Sequence, residues 1–209
     1  KNRRSDFILA TKHSGKGLSH VRNGAPITKD TIQNAVEGSL KRLKTDYIDL
    51  YQFHWPNRGS YMFRQNWKYD PSRQDKKSTL ENMYECLVIL QKEVEKGNIR
   101  YFGLSNESAW GTANWLKLSE EHKLPRVATI QNEYSLLCRL YDTDLAELSI
   151  NEGVGLMAFS PLAAGLLTGK YLDGSLPENS RKLINQDLGG RDNPRSEIAV
   201  RSYLKIAKE

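Results

Sequence analysis

Polar side chains follow short apolar segments at several points of the chain, and two of them have the chemistry for catalysis. Lys12 ends the segment that begins at Phe7, and His54 ends the segment that begins at Tyr47. A lysine at a strand end can form a Schiff base, bind a phosphate or lower the pKa of a neighbouring acid. A neutral imidazole can donate a hydrogen bond to a carbonyl oxygen. Either residue alone is more often a solvated cation or a structural histidine, so their role depends on the fold that positions them.

Uncharged hydrogen-bonding groups end the next two apolar segments. Ser105 and Asn106 follow residues 99–104, and Gln131 follows residues 127–130. Hydroxyl and amide groups can both donate and accept, which suits them to bind a primary carboxamide. Asn106 is also well placed to cap the helix that follows it, and the two roles are compatible.

A segment rich in small residues follows the fifth apolar run. Residues 159–171 contain Gly165, Gly169 and Lys170. Small residues let the backbone approach a ligand closely, and the lysine supplies charge for a phosphate. The segment is not a P-loop, because its glycines are too close together and Tyr171 stands where a Mg²⁺-binding serine or threonine is required. No His, Asp or Glu cluster has the spacing of a metal site, and we expect no metal.

These residues are separated by an alternation of strand-like and helix-like patterns. The strand-like runs are residues 7–11, 47–53, 99–104, 127–130 and 154–159. Helical periodicity begins at Thr28, and again at Ser78, where Glu81 completes a predicted capping box and Gly97 ends the helix. Three more helical patterns cover residues 109–118, 144–150 and 196–207.

This order predicts an α/β protein with a parallel sheet, because parallel strands are joined by crossovers that are usually helical. No GxGxxG motif follows the first run, whereas polar residues follow every run, which favours a (β/α)8 TIM barrel over a Rossmann-type sheet. A closed barrel needs about eight strands. We therefore expect residues 1–209 to form a single partial barrel domain that lacks the first strands and the last one.

Three connections are long for a barrel and all follow strands, so they should rise on one face. They cover residues 13–27, 55–77 and 162–194. The second is rich in aromatic residues, namely Trp55, Tyr61, Phe63, Trp67 and Tyr69. These rings could form the wall of a substrate pocket or a surface loop packed on itself, and the sequence favours neither.

Composition restricts the class of protein more than it identifies it. The chain has 209 residues, of which 38% are hydrophobic, and no long uncharged apolar run. This excludes a membrane-spanning helix and a secretory signal, and predicts a cytoplasmic protein. Cys86 and Cys138 are not spaced as a disulfide framework or a metal pair. The net charge of +6 is compatible with a phosphate-bearing cofactor or with weak nucleic-acid binding.

Taken together, four strings in this order resemble the aldo-keto reductases, in the branch that contains the bacterial Tas-like reductases and the potassium-channel beta subunits. The strings are residues 43–51 leading to His54-Trp55-Pro56, residues 97–106, residues 131–135, and Ser160-Pro161-Leu162 through Gly169-Lys170-Tyr171. The resemblance covers essentially the whole chain.

The resemblance implies a catalytic tetrad of Asp, Tyr, Lys and His, in which a nicotinamide donates hydride to a carbonyl carbon and the tyrosine protonates the oxygen. Lys12 and His54 match two members of the tetrad. Lys12 is then expected to lower the pKa of the tyrosine, and His54 to orient the carbonyl. The Asp and the Tyr are expected to precede residue 1, so we expect the chain by itself to be inactive.

The resemblance also implies which residues contact the cofactor, NADP(H). Ser105, Asn106 and Gln131 are expected to bind the carboxamide, and Phe159 to stack on the nicotinamide ring. The residues expected to face the pyrophosphate and ribose are Ser160, Leu162, Ala163, Lys170 and Arg181. The preference for NADP over NAD comes from the family alone.

The predicted function is therefore an NADP(H)-dependent oxidoreductase that reduces a small aldehyde or ketone, with no nucleic-acid or membrane partner. One alternative is a non-catalytic nicotinamide-nucleotide-binding regulatory subunit. His54 argues against it, because the channel-associated members depart from histidine at that strand end. A basic nucleic-acid-binding module is a second alternative, but it requires Lys and Arg on one face with interleaved aromatic residues, and the charges here are dispersed.

Overall fold

The computed structural model describes residues 3–209 and shows strands alternating with helices. The strands are β1 (Ala10–His13), β2 (Ile48–Phe53), β3 (Ile99–Ser105), β4 (Val127–Gln131) and β5 (Gly155–Leu156). The helices are α1 (Lys29–Leu43), α2 (Lys76–Glu95), α3 (Ala109–His122), α4 (Leu145–Glu152), α5 (Arg181–Ile184) and α6 (Pro194–Ile206). Within residues 3–209, no helix has the length and apolar character needed to cross a membrane.

The five strands form one parallel sheet in which spatial order follows chain order, β1-β2-β3-β4-β5. Lys12 of β1 pairs in register with Gln52 of β2, which pairs in turn with Gly103 of β3. Sequential parallel strands joined by helices are the arrangement of a (β/α)8 barrel, and a closed barrel has about eight strands. The predicted class, an α/β fold with an incomplete barrel, is confirmed for the described residues.

Several predicted boundaries differ from the structure, among them the starts of the first strand and of helix α2 and the extent of the last strand. The first strand begins at Ala10 and not at Phe7, because the Asp49 carboxylate accepts the Leu9 N–H at 2.9 Å in place of a strand partner. The capping box predicted at Ser78 is wrong. Helix α2 begins two residues earlier, and Asp75 is its N-cap, accepting from the Ser78 N–H at 3.0 Å.

The last predicted strand, residues 154–159, is also shorter in the structure. Only Gly155–Leu156 pair with β4. Farther along, Phe159 forms an isolated bridge with Glu133. The predicted end of helix α2 is confirmed, since the chain turns at Gly97 with a φ of 77°.

The chain divides into two compact units. The first contains the residues up to Gln131 together with Glu147–Met157, and therefore the whole sheet. Its core lies where α2 and α3 cover one face of the sheet. Phe53, Phe102 and Trp115 form an aromatic cluster there, with ring centroids 5.0 to 5.6 Å apart.

The second unit contains Asn132–Ala146 and Ala158–Glu209. Its core is formed by Ala163, Leu166, Tyr171, Leu188 and Val200. An ion pair between Arg191 and Glu133, at 2.8 Å, is largely shielded from solvent. The expectation of one partial barrel domain over residues 1–209 stays a prediction, and its residues 1 and 2 lie outside the described part of the chain.

A charged cluster joins the amino-terminal ends of β2 and β3 to the segment before β1. Asp49 accepts from Arg4 at 2.7 Å and from Arg100 at 3.0 Å, and both guanidinium groups lie 3.9 Å from the centre of the Tyr47 ring. In barrel proteins this end of the sheet serves stability, and the opposite end carries function.

Candidate functional site

Lys12 and His54 lie on the same face of the sheet, at its carboxyl edge. Lys12 and Gln52 are register partners and therefore point to the same side, and alternation along the chain puts His54 on that side too. The backbone continues the pairing beyond β2, because the His54 N–H donates to the His13 carbonyl at 2.9 Å. The fold thus brings the two predicted catalytic residues to neighbouring strand ends.

Burial lowers the pKa of both residues, and the charge of Lys12 acts on His54 in addition. Partial burial lowers the pKa of Lys12. Burial also lowers the pKa of His54, and the nearby Lys12 charge lowers it further. Because the unperturbed pKa of histidine is about 6.5, a lowered value keeps the imidazole neutral at neutral pH. A neutral imidazole beside a cationic amine is suited to donate a hydrogen bond to an uncharged carbonyl oxygen.

Ser105, Asn106 and Gln131 form a connected group beside this pair. The Ser105 hydroxyl donates to the Gln131 carbonyl at 2.8 Å, and the Asn106 N–H donates to the same oxygen at 3.0 Å. The Asn106 side-chain Nδ2 donates to the His54 carbonyl at 2.9 Å and to the Ser105 hydroxyl at 3.0 Å. Asn106 has a φ of 53°, in the left-handed region that asparagine tolerates better than most residues.

Two side-chain oxygens in this group are buried and have no hydrogen-bond donor within the described part of the chain, residues 3–209. They are Oδ1 of Asn106 and Oε1 of Gln131. A buried amide oxygen without a partner is unfavourable, so each of these atoms is suited to accept from a ligand N–H. A primary carboxamide offers two N–H groups and one carbonyl oxygen. The residues of the first unit therefore fit the nicotinamide carboxamide.

Gln52 belongs to the same face and was missed from the sequence. Its side chain is fully buried, its Nε2 donates to the Leu104 carbonyl at 3.3 Å, and its Oε1 has no partner. A glutamine near the end of the second strand-like run, two residues before His54, was the available signal. Its register neighbour Gly103 has no room for a side chain, because an added Cβ would lie 2.6 Å from Thr129 Oγ1.

The other predicted cofactor residues lie in the second unit. Phe159 and Ser160 are half-buried, Leu162 is exposed and Ala163 is buried. Ser160, Ala163 and Ala164 have φ values of 53°, 49° and 56°, so the backbone of this loop turns repeatedly through the left-handed region. Such turns can point backbone N–H groups toward an anion.

Lys170 lies against this loop, whereas Arg181 is placed separately. A Cβ on Gly165, whose φ is 99°, would lie 2.8 Å from Cε of Lys170, so glycine lets the lysine stem approach the backbone. The Lys170 ammonium lies 5.1 Å from the centre of the Tyr171 ring. Arg181 begins α5 and is exposed. The second unit therefore offers backbone and lysine groups suited to a phosphate.

The aromatic loop over residues 55–77 packs partly on itself. Trp55 contacts Phe63, and Tyr61 contacts Tyr69, with ring centroids 6.1 and 6.3 Å apart. Trp67 projects into solvent and is 92% exposed. Within residues 3–209, no group of three or more His, Cys, Asp or Glu side chains could hold a metal ion.

The fold and the site define a protein of the (β/α)8 type whose polar groups gather at the carboxyl ends of parallel strands. The model of the aldo/keto reductase family matches residues 1–209. The chain therefore belongs to the aldo/keto reductase family, a family of oxidoreductases, as its motifs predicted.

Individual relatives agree with this assignment. The chain is 39% identical over 208 residues to protein Tas of Escherichia coli, covering 98% of this chain and 59% of Tas. It is 38% identical over 190 residues to an aldo-keto reductase of Babesia bovis, covering 86% and 66% respectively. It is 32% identical over 186 residues to a probable voltage-gated potassium channel subunit beta of Arabidopsis thaliana, covering 86% and 48%. The chain thus spans less than two thirds of the length of these relatives.

Proposed function

We propose that this protein reduces aldehydes or ketones in the cytoplasm by hydride transfer from NADPH. The observation that carries the proposal is the placement of Lys12 and His54 on one face, beside the unpaired oxygens of Asn106 and Gln131. The first pair suits a carbonyl substrate and the second pair suits a carboxamide. Membership of an oxidoreductase family supports the reaction class.

Four side chains of the first unit have defined parts in this proposal. A bound nicotinamide dinucleotide supplies the hydride. Asn106 Oδ1 and Gln131 Oε1 accept from the carboxamide N–H groups, which fixes the orientation of the ring. His54, kept neutral by burial and by the charge of Lys12, donates to the substrate carbonyl oxygen. Lys12 stabilises negative charge on the group that protonates this oxygen, which the resemblance assigns to the tyrosine of the tetrad.

In the second unit we propose, from the resemblance, that Phe159 stacks on the nicotinamide ring. Ser160, Leu162, Ala163, Lys170 and Arg181 then contact the pyrophosphate and ribose. The left-handed turns at Ser160 and Ala163 and the position of Lys170 against Gly165 support an anion-binding role for this loop. The preference for NADPH over NADH is proposed from the resemblance alone.

The proposal is tested with a protein that also carries the tetrad aspartate and tyrosine expected from the resemblance, by following the oxidation of NADPH and of NADH with benzaldehyde and with a panel of aliphatic aldehydes and ketones. His54→Ala should lower turnover about a hundredfold or more, which is the usual effect of removing one donor to a developing oxyanion. The affinity for NADPH, measured by fluorescence titration, should change less than about twofold, because His54 is not expected to contact the cofactor. His20→Ala is the matched control, since His20 is exposed.

Unchanged turnover in His54→Ala would remove this histidine from the mechanism. A protein that binds NADPH but reduces no carbonyl in the panel would instead support the non-catalytic nucleotide-binding role. That alternative is favoured by one observation, the similarity to a potassium channel beta subunit.

A further inference from the structure

A cavity of about 330 Å³ lies in the first unit, on the face of the sheet opposite to Lys12 and His54. Phe53 and Leu104, which are register partners, form part of its wall. Phe53 lies between Gln52 and His54 in the chain, so alternation points it to the other side of the sheet. Its contact with Trp115 of α3, at 5.5 Å between ring centroids, confirms that this is the helix-covered face.

The inner wall of the cavity is apolar, and its entrance is polar. Besides Leu104, the apolar part of the wall contains five side chains that are at most 6% exposed, namely Ile27, Phe53, Met83, Cys86 and Trp115. Lys16, Asp75 and Ser78 also line the cavity and are exposed, so it opens to solvent between the loop before α1 and the start of α2. The volume falls within the range of about 300–1,000 Å³ typical of small-molecule pockets.

The buried ion pair of Arg58 and Glu107, beside this cavity, has one unused donor. Both residues line it, and their side chains are only 7% and 3% exposed. The terminal nitrogens of Arg58 are occupied by Glu107 and by the Ser108 hydroxyl, the latter at 3.1 Å. Its Nε is buried and has no acceptor among residues 3–209. An unsatisfied N–H on a buried guanidinium is unfavourable, so a ligand acceptor that reached Nε from the cavity would be stabilising.

The remaining deep groups carry no net charge. Asn57 and Asn82 are occupied with each other and with Ile27, because both donate to the Ile27 carbonyl, at 2.7 and 3.1 Å. Burial raises the pKa of the Cys86 thiol to about 12, so the thiol stays protonated at neutral pH. The Arg58 charge is balanced by Glu107. A charged ligand would therefore lose its hydration without gaining a counter-ion.

We propose that this cavity is a second ligand site, separate from the nicotinamide site, for a flat uncharged molecule with one or two rings and an oxygen that accepts from Arg58 Nε. The rings lie against Phe53, Leu104 and Trp115, and the oxygen lies toward the ion pair. The proposal does not depend on the proposed reductase activity, because neither Lys12 nor His54 lines the cavity, and Ser105 is the one lining residue that also belongs to the carboxamide group.

Coumarin, a neutral bicyclic lactone, is the test ligand, and the four tryptophan indole N–H signals report where it binds in NMR spectra. Trp55 and Trp115 line the cavity, whereas Trp67 is 92% exposed. Titration should shift the signals of Trp55 and Trp115 saturably and leave that of Trp67 unchanged, with a Kd of about a millimolar or tighter for so small a ligand. Saturating NADPH should not displace coumarin.

Two variants with matched controls complete the test. Thr79→Phe fills the cavity from the first turn of α2 and should abolish the shifts, whereas Glu81→Phe, exposed on the same helix and outside the cavity, should preserve them. Arg58→Lys keeps a cation beside Glu107 but removes the Nε donor, and should weaken binding about three- to tenfold. Arg73→Lys, exposed in the same loop, should leave it unchanged.

Displacement of coumarin by NADPH, or unchanged binding in Thr79→Phe, would overturn the proposal, because the ligand would then occupy another site. If Thr79→Phe does not give a folded spectrum, the Arg58→Lys comparison and the pattern of tryptophan shifts decide in its place. Binding of equal strength in Arg58→Lys would show that the unpaired Nε–H does not recognise the ligand.

Discussion

Replacement of Asn106 by glycine and by alanine separates its hydrogen bonds from its backbone conformation. Glycine adopts the observed φ of 53° freely, so Asn106→Gly removes only the side chain. The lost side chain makes two hydrogen bonds through Nδ2, at 2.9 Å to the His54 carbonyl and 3.0 Å to the Ser105 hydroxyl. Each contributes about 1 kcal/mol, and the extra chain entropy of glycine adds about 0.5–1 kcal/mol. Removal of the unpaired Oδ1 should recover about 1 kcal/mol of this loss, so Asn106→Gly should reduce the free energy of unfolding by about 2 kcal/mol.

Asn106→Ala should be slightly more destabilising than Asn106→Gly. Alanine in the left-handed region costs roughly 1–2 kcal/mol. Alanine also loses less backbone entropy on folding than glycine does, which offsets about 0.5–1 kcal/mol of that cost. The net difference between the two variants is about 0.5–1 kcal/mol. Asn179, exposed and with a φ of 59°, is the matched control, where alanine should again be worse than glycine but neither change should exceed about 1–2 kcal/mol.

Urea unfolding curves measure these differences, and an NADPH titration measures the cofactor contact. Loss of the Oδ1 acceptor should weaken NADPH binding about fivefold, which corresponds to about 1 kcal/mol. An Asn106→Gly protein as stable as the wild type would refute the reasoning about Nδ2. Equal stability of the alanine and glycine variants at both positions would refute the backbone argument.

Three further changes test the structure away from the carboxamide group. Burial, followed by the charge of Arg22, lowers the pKa of His13 from 6.5 to about 3. The protein should therefore keep its full free energy of unfolding above pH 6.5 and lose part of it as the pH falls toward 3. Urea curves across that range should show a smaller loss in His13→Leu. The pKa of Asp49 is lowered because hydrogen bonds from Leu9 and Arg4 outweigh its burial, so its contribution is present above pH 3.8 and is lost at lower pH. Asp49→Asn should cost about 1–3 kcal/mol at neutral pH and flatten the acid limb of the stability curve. Gly103→Ala should lower the free energy of unfolding, measured by thermal unfolding, by about 1–3 kcal/mol. Adding Thr129→Ala should recover part of this loss, because it removes the oxygen nearest to the new methyl group. If the effects of the two substitutions simply add, the predicted contact is contradicted.

The alternation of strands and helices was predictable because it is encoded locally. Apolar runs bounded by polar residues define strands, and periodic apolar positions define helices, whatever the rest of the chain does. Boundaries were less predictable, since they depend on partners distant in sequence. Asp49 shortens the first strand by taking the N–H of Leu9, forty residues away. Asp75 replaces Ser78 as the cap of α2 because backbone geometry decides which of two suitable side chains reaches the free N–H groups.

The sequence by itself determined the class of fold, the family, and the position of Lys12 and His54 at the ends of neighbouring parallel strands. Those properties follow from residue type and spacing along one segment at a time. Only the tertiary structure decided that Asn106 holds the His54 carbonyl across 52 residues of chain, that Gln52 is buried beside Lys12, and that a cavity remains behind Phe53. Such contacts depend on how the helices and strands pack together. Hydrophobic periodicity does not indicate which polar atoms, distant in sequence, come to lie next to each other.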